Sequence, residues 1–218
     1  MIKITDNIYA FIWNNPTINN CNTYFIDGRK KVIIDPGHYH LFGHVKEGLK
    51  DIGRSIDDID MVIITHAHPD HMEGIKHFKD KLISIHRDEI KFLTDINPQY
   101  RNIVGLDEVY IPILLQEGEL FVGGDKFTII HTPGHSPGSI CIYMKDYGVL
   151  FTGDLVFYRG IGRTDLPGGD PELLKKSINR LSELEVEYLL PGHGDIISGR
   201  YNILNNLNEV RNLWFPYL

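Results

Sequence analysis

The stretch Thr65-His66-Ala67-His68-Pro69-Asp70-His71 sets the tightest limit on what this chain can become. It follows the apolar run Met61-Val62-Ile63-Ile64, so four metal-competent side chains open from the end of a buried strand. Imidazole nitrogens and carboxylate oxygens are the usual ligands of zinc, and of iron and manganese. Three of the chain's 11 histidines and one carboxylate fall within six residues, a density that a plain polar turn does not need. Such a site draws further ligands from other strands, and the remaining sequence can be searched for them.

The first 35 residues read as strands. Ile8 to Trp13 ends at the turn signal Asn14-Asn15-Pro16; Cys21 to Ile26 breaks at Asp27-Gly28; Val32 to Ile34 closes in Asp35-Pro36-Gly37. The loop Asn14 to Asn20 is a hairpin tip, plain or overhanging a pocket. A helical stretch runs from His38 to about Asp51. It carries His40 and His44 at i, i+4, which without an adjacent carboxylate motif read as rim residues. Helix is expected over Asp70–Phe78 and Arg87–Thr94, with Ile90 and Leu93 facing inward and a strand at Leu82–Ile85 between them. Residues 95–117 resist assignment, with Asn97-Pro98 and Ile111-Pro112 arguing against long elements. His77 and His86 read as structural.

The second half repeats the design. Phe127–Ile130, Ser139–Met144 and Val149–Phe151 read as strands. A helix starts at N-cap Asp170 with Pro171 behind it, its apolar stripe being Leu173, Leu174, Ile178, Leu181 and Leu184. Tyr188–Leu190 is a further strand, and a last helix spans about Asn202 to Leu213. The aromatic tail Trp214 to Leu218 then packs on its own domain, lines the pocket or makes a dimer contact. Five short apolar strands thus end in an acid or histidine: Asp35, His66, His135, Asp154 and His193. Strand ends gathered on one edge are where layered α/β proteins place their sites.

With 42% hydrophobic and 23% charged residues, the 218-residue chain reads as one globular domain, 1–218. A net charge of −7 and no Lys/Arg run argue against binding long nucleic acid. Cys21 and Cys141 form neither a disulfide framework nor a C-x-x-C pair. No apolar run approaches a membrane span, so the expectation is a cytoplasmic protein with a small-molecule substrate, no membrane partner, and a homodimer left open.

One arrangement uses all these groups. His66, His68 and His135 hold one ion; Asp70, His71 and His193 hold a second; Asp154 bridges them. Two divalent ions about 3.5–4 Å apart bring the pKa of bound water from about 15.7 towards about 7 and polarise a carbonyl. The implied reaction is hydrolysis by a bridging hydroxide, with the carboxylates Asp70 and Asp154 as catalytic residues and no serine or cysteine nucleophile. Zinc is expected first, with iron or manganese as alternatives. Asp35 either orients the His66/His68 loop by hydrogen bonds or only forms a turn.

Thr65 to His71, with His135, Asp154 and His193 in order, resembles the metallo-β-lactamase superfamily over about Ile8 to Asp195. The resemblance implies an α/β fold, a four-layer αββα sandwich with the metal site at the edge of two sheets, and the same split of ligands. Gly134-His135-Ser136-Pro137-Gly138-Ser139 and the segment Gly160 to Asp170 resemble glyoxalase II-type hydrolases, which cleave an acylated thiol such as a glutathione thioester. Glyoxalase II proper carries a C-terminal helical domain with basic residues for glutathione. Here 25 residues follow His193, so the thiol stays open. Arg163 meets a substrate carboxylate or fixes its own loop. A mono-iron persulfide dioxygenase, using the equivalents of His66, His135 and Asp154, shares a Gly-Arg-Thr-Asp segment like Gly162–Asp165 but resembles this chain less around His193. Lactone or β-lactam hydrolysis would use the same site. A purely structural ion usually closes its shell with four ligands, often cysteines, which seven His and Asp groups do not match.

Overall fold

The computed structural model describes residues 1–15, 17–96 and 98–218, with side chains at all of these except 96 and 98–100. The turn signals at Pro16 and Asn97 therefore lie outside the described residues.

Runs of β-branched and aromatic residues build two mixed sheets. The first holds seven strands in chain order: β1 (Ile2–Lys3), β2 (Ile8–Phe11), β3 (Thr23–Asp27), β4 (Lys31–Ile34), β5 (Met61–Ile63), β6 (Leu82–His86) and β7 (Ile113–Leu115). It is antiparallel up to β4 and parallel from β4 to β7. The second contains β8 (Gly118–Val122), β9 (Asp125–His131), β10 (Ile140–Met144), β11 (Val149–Gly153), β14 (Tyr188–Pro191) and β15 (Ile197–Ser198), in the order β15-β14-β11-β10-β9-β8. A two-strand ribbon, β12 (Val156–Phe157) and β13 (Gly160–Ile161), stands apart.

Three apolar clusters explain the layering. Alternate residues of the first sheet, among them Tyr24, Ile34 and Ile63, meet Phe127, Ile129, Ile142 and Phe151 of the second. The residues between them, Phe25, Ile33 and Val62, pack instead under α1 (Gly43–Asp51), the segment Glu73–Phe78 and α3 (Arg87–Ile96). On the far side Cys141, Leu150 and Leu189 pack under α5 (Pro171–Leu181) and α6 (Arg200–Trp214). Both faces of each sheet are buried, so the central strands read as continuous apolar runs. Each fully buried Ile or Phe contributes about 1.5–3 kcal/mol relative to exposure. The result is the expected αββα sandwich.

Differences from the sequence reading are local. Asp170 caps α5, its Oδ1 accepting from Leu173 N at 2.9 Å, but Leu173 is 38% exposed. Leu174, Ile178 and Leu181 keep the i, i+4, i+7 spacing that faces the core, and Leu173 lies off that stripe. The helix expected over Asp70–Phe78 divides into a short α2 (Pro69–Met72) and a 3₁₀ segment, Glu73–Phe78. Within 95–117 lie α4 (Pro98–Ile103) and β7. Strand β8 and the β12–β13 ribbon are elements that the sequence reading does not place. In the tail, Phe215 and Leu218 pack on the α5–α6 cluster, while Trp214 and Tyr217 stay exposed. Among the described residues no helix is long and apolar enough to cross a membrane.

Candidate metal centre

Strands β4, β5, β11 and β14 and the β9–β10 connection all end on one edge, where the sheets are stitched together. Ile140 N donates to Thr65 O (3.0 Å), Cys21 N to Asp70 O (3.3 Å) and Asn22 N to Gly192 O (2.7 Å). All seven predicted ligands converge there. The ring nitrogens of His66, His68 and His135 form one tight group; those of His71 and His193 with a carboxylate oxygen of Asp70 form another. Asp154 lies between them, Oδ2 3.6 Å from His135 Nε2 and 3.3 Å from His193 Nε2, Oδ1 3.1 Å from His71 Nε2.

The tautomers follow from hydrogen-bond accounting. Asp35, which opens the β4–α1 turn at φ +51°, accepts from Thr65 N (2.8 Å), Thr65 Oγ1 (2.6 Å) and His71 Nδ1 (2.8 Å). Thr65 has spent its one proton on Asp35, so its oxygen accepts from His66 Nδ1 at 3.1 Å. Arg163 O accepts from His135 Nδ1 at 2.7 Å. In the neutral form of His66, His71 and His135 the proton therefore sits on Nδ1 and Nε2 faces inward, as in ligating imidazoles. Of the two readings of Asp35, the orienting one matches these contacts.

The donor set fits metal ions. His66 Nε2 is buried with no hydrogen-bond partner, an arrangement that costs about 1–3 kcal/mol unless something binds it, and Asp154 Oδ1 has His71 Nε2 beside it at 3.1 Å. Neighbouring ligand atoms stand 2.8 Å (His68 Nδ1 to His135 Nε2) to 4.0 Å (His66 Nε2 to Asp154 Oδ2) apart. Four ligands about 2.1 Å from a tetrahedral ion keep roughly 3.4 Å from one another. Burial, then neighbouring imidazole charge, lowers His66 well below its ordinary value and His68 to about 4, so both offer lone pairs at neutral pH. Burial works against the charged forms of Asp70 and Asp154, yet their contacts with His193 and His71 hold both below the usual carboxylate range. Burial likewise opposes protonation of His193, but Asp154 outweighs it and raises the group to about 9; His71 is raised the same way by Asp154 and Asp35. Without ions, protons on those two rings supply the positive charge.

Several residues that sequence reasoning passes over hold this edge together. Glu89, 1% exposed in the first turn of α3, accepts from Ala67 N (2.8 Å), Gly138 N (2.6 Å) and Ser136 Oγ (2.6 Å). One carboxylate thus ties the His66/His68 loop to the His135 loop. In sequence it looks like any acid at a helix start. Asn19, in the β2–β3 loop, donates to Asp70 Oδ2 at 2.8 Å, so that loop does overhang the site. Tyr24 Oη donates to Pro191 O at 2.6 Å and steadies the turn before His193. A Cβ on Gly192 would run into Asp154 Oδ1 and lie 2.7 Å from His71 Cε1, so only glycine lets the chain pass there.

Arg163 donates from Nε to Asp165 Oδ1 (3.0 Å) and from Nη2 to Oδ2 (2.8 Å), the loop-fixing alternative. His44 bonds Leu41 O and His77 bonds Tyr39 O. His40 groups with His38 and Glu73 rather than with His44, and His86 stacks on His131. The cysteines are buried. Burial, helped by Asp35, raises Cys21 well above the usual thiol, and burial takes Cys141 to about 12, which rules both out as thiolate nucleophiles near neutral pH.

A cavity of about 550 Å³ opens onto the centre. Together these features define a metal-binding αββα sandwich with its chemistry at the sheet edge. Residues 16–193 match the family model for the metallo-β-lactamase superfamily. The chain is 37% identical over 187 residues to the "Probable metallo-hydrolase" of Methanocaldococcus jannaschii, covering 80% of this chain and 88% of that protein. It is 34% identical over 187 residues to the hydroxyacylglutathione hydrolase GloC of Haemophilus influenzae, covering 82% of each. Among solved structures, TTHA1623 in a di-iron-bound form superposes with a TM-score of 0.68 at 28% identity, covering 94% of this chain and 98% of that one. The chain belongs to the metallo-β-lactamase superfamily and is a metallo-hydrolase of that family, whose members bind divalent metals.

Proposed function

We propose that this protein hydrolyses thioesters at a two-ion centre held by His66, His68 and His135 on one side, Asp70, His71 and His193 on the other, and Asp154 between. The convergence of those seven groups around an unpartnered His66 Nε2 carries the reading. Divalent ions held there would acidify water and polarise an acyl carbonyl. Zinc is the first expectation, iron or manganese the alternatives.

The chain's own residues contribute position. Asp35, through Thr65 and His71, and Arg163 O fix which imidazole nitrogens face inward. Asn19 holds Asp70, and Glu89 clamps the two histidine loops. Overall, water adds to the acyl carbon, the C–S bond breaks, and an acid and a thiol are released. Among the described residues lining the cavity, every titratable group other than Arg163 belongs to the ligand set. A leaving group that departs as an anion suits such a site, and thiolates, with parent pKa about 8.5, do so readily. The 34% identical relative named as a hydroxyacylglutathione hydrolase supports the same chemistry. Two buried thiols suit a reducing cytoplasmic setting.

Metal analysis of the purified protein, paired with a panel of thioesters, lactones and β-lactams, tests the reading. Two ions per chain and preferential thioester turnover are expected. A single iron with oxygen uptake and no hydrolysis would replace it with persulfide dioxygenation.

A further inference from the structure

The walls of the cavity say more about the substrate than the metal edge does. Phe92 and Leu93 come from α3, Phe157 and Ile161 from the β12–β13 ribbon, Leu166 and Pro167 from the loop before α5. These elements are packed into one surface. A Cβ on Gly168 would lie 2.6 Å from the Phe92 ring, so the loop rests directly on α3. The Phe157 ring stands 5.7 Å from that of His193, edge to face, carrying the apolar wall up to the ligands.

Charge is arranged the other way. Among the described residues lining the cavity, Arg163 is the one Arg or Lys, and its Nε/Nη2 side is already engaged by Asp165, two residues along. A substrate carboxylate reaching this wall would meet a cation already paired with Asp165, and the net charge of −7 gives no help from a distance.

We propose that the cavity selects thioesters with an apolar, medium-length acyl chain on an uncharged thiol and disfavours a carboxylate-bearing thiol such as glutathione. This rests on the thioester reading above. Each methylene taken from water into the wall is worth roughly a fourfold gain in kcat/KM until the cavity is full.

The experiment uses the metal-loaded protein and S-acyl-N-acetylcysteamine thioesters of two, four, six and eight carbons, with the matched S-acylglutathiones. Calorimetry on non-hydrolysable thioether analogues of the same lengths reads binding alone. The six-carbon substrate should exceed the acetyl one on the order of a hundredfold, with binding heat capacity more negative as the chain grows. It should also be preferred over its glutathione counterpart. Phe92→Ala and Leu166→Ala, each checked for folding by circular dichroism, should lower the six-carbon to two-carbon ratio. A flat chain-length profile, or preference for the glutathione partner, overturns the inference while leaving thioester hydrolysis standing. Chain-length-dependent binding without thioester turnover supports the apolar wall and sinks the hydrolytic reading instead.

Discussion

Glu89 is the residue on which the centre's geometry can be tested furthest from the ligands themselves. In Glu89→Ala, the N–H groups of Ala67 and Gly138 lose their acceptor inside the protein, while Ser136 Oγ retains Ser139 Oγ at 2.6 Å. Two orphaned buried donors cost about 1–3 kcal/mol each. Part of this is offset, because burial already raises the Glu89 carboxyl above its ordinary value and that strain disappears with it. A net loss of about 2–4 kcal/mol follows, which lowers the melting temperature by roughly 5–12 °C in a domain of this size. Glu89→Gln is isosteric but can satisfy only one side. If its oxygen serves Ala67 N, its amide faces Gly138 N–H; reversed, it faces Ala67 N–H. One donor is orphaned either way, for about 1–3 kcal/mol.

The discriminating readout is metal. Glu89 ties the loops of His66, His68 and His135, whereas Asp70 and His71 are held by Asn19 and Asp35. Zinc titration against a competing chelator should show one site weakened about 10–100-fold in Glu89→Gln and the other close to unchanged. Equal weakening of both sites, or a lower melting temperature with both affinities intact, would refute the clamp.

Asp35→Asn removes the acceptor that sets the His71 and, through Thr65, the His66 tautomer; metal affinity should fall about 10–100-fold in the same titration, with loss extending to both sites. Gly192→Ala should abolish hydrolysis and perturb metal content while costing only about 1–3 kcal/mol of stability by denaturant unfolding, since the new Cβ meets Asp154 Oδ1 and His71 Cε1 most closely and the Gly153 backbone only at 3.1 Å. In chelated protein, His193 is raised from 6.5 to about 9, so its contribution is fully present below pH 6.5 and is lost as pH rises through about 9. The melting temperature of the chelated form should therefore fall between pH 6.5 and 9.5, and that of the loaded form should fall less. Loading zinc at pH 7.5 should release protons from His71 and His193, measurable with an indicator dye in weak buffer.

The candidate ligands were legible because His66, His135, Asp154 and His193 follow short apolar strands and His68, Asp70 and His71 crowd the same motif as His66, and both are local patterns. Asp35 and His193 are visible in this way although they lie far apart in the chain. The clamps were not legible for the opposite reason. Glu89 and Asn19 act through contacts 22 to 51 residues away, and nothing in their own neighbourhoods distinguishes them from a helix-start acid or a loop amide. Edge strand β8 was hidden by its pairing, since its alternation is weak and Phe121 is 64% exposed. Leu173 misled because a leucine beside a helical stripe reads as part of it until the cap fixes the phase.

The balance of charge at the edge links these observations. Asp35, Asp70, Glu89 and Asp154 are all buried or nearly so, and among the described residues no Lys or Arg nitrogen lies within 4.0 Å of any of them. Among the described residues histidines are the one kind of potential cation within 4.0 Å of the three aspartates, and Glu89 has neutral donors alone. Buried carboxylates without cations are costly, and a fold gains nothing structural from collecting four of them. On the two-ion reading proposed above, the ions would bring the charge that cancels all four. On that reading the clamps and the candidate ligands form one electrostatic unit, with bound ions offsetting the burial of Asp35 and Glu89 as well as of Asp70 and Asp154. Replacing a clamp changes both geometry and charge, so its effect should appear in metal affinity as well as in stability.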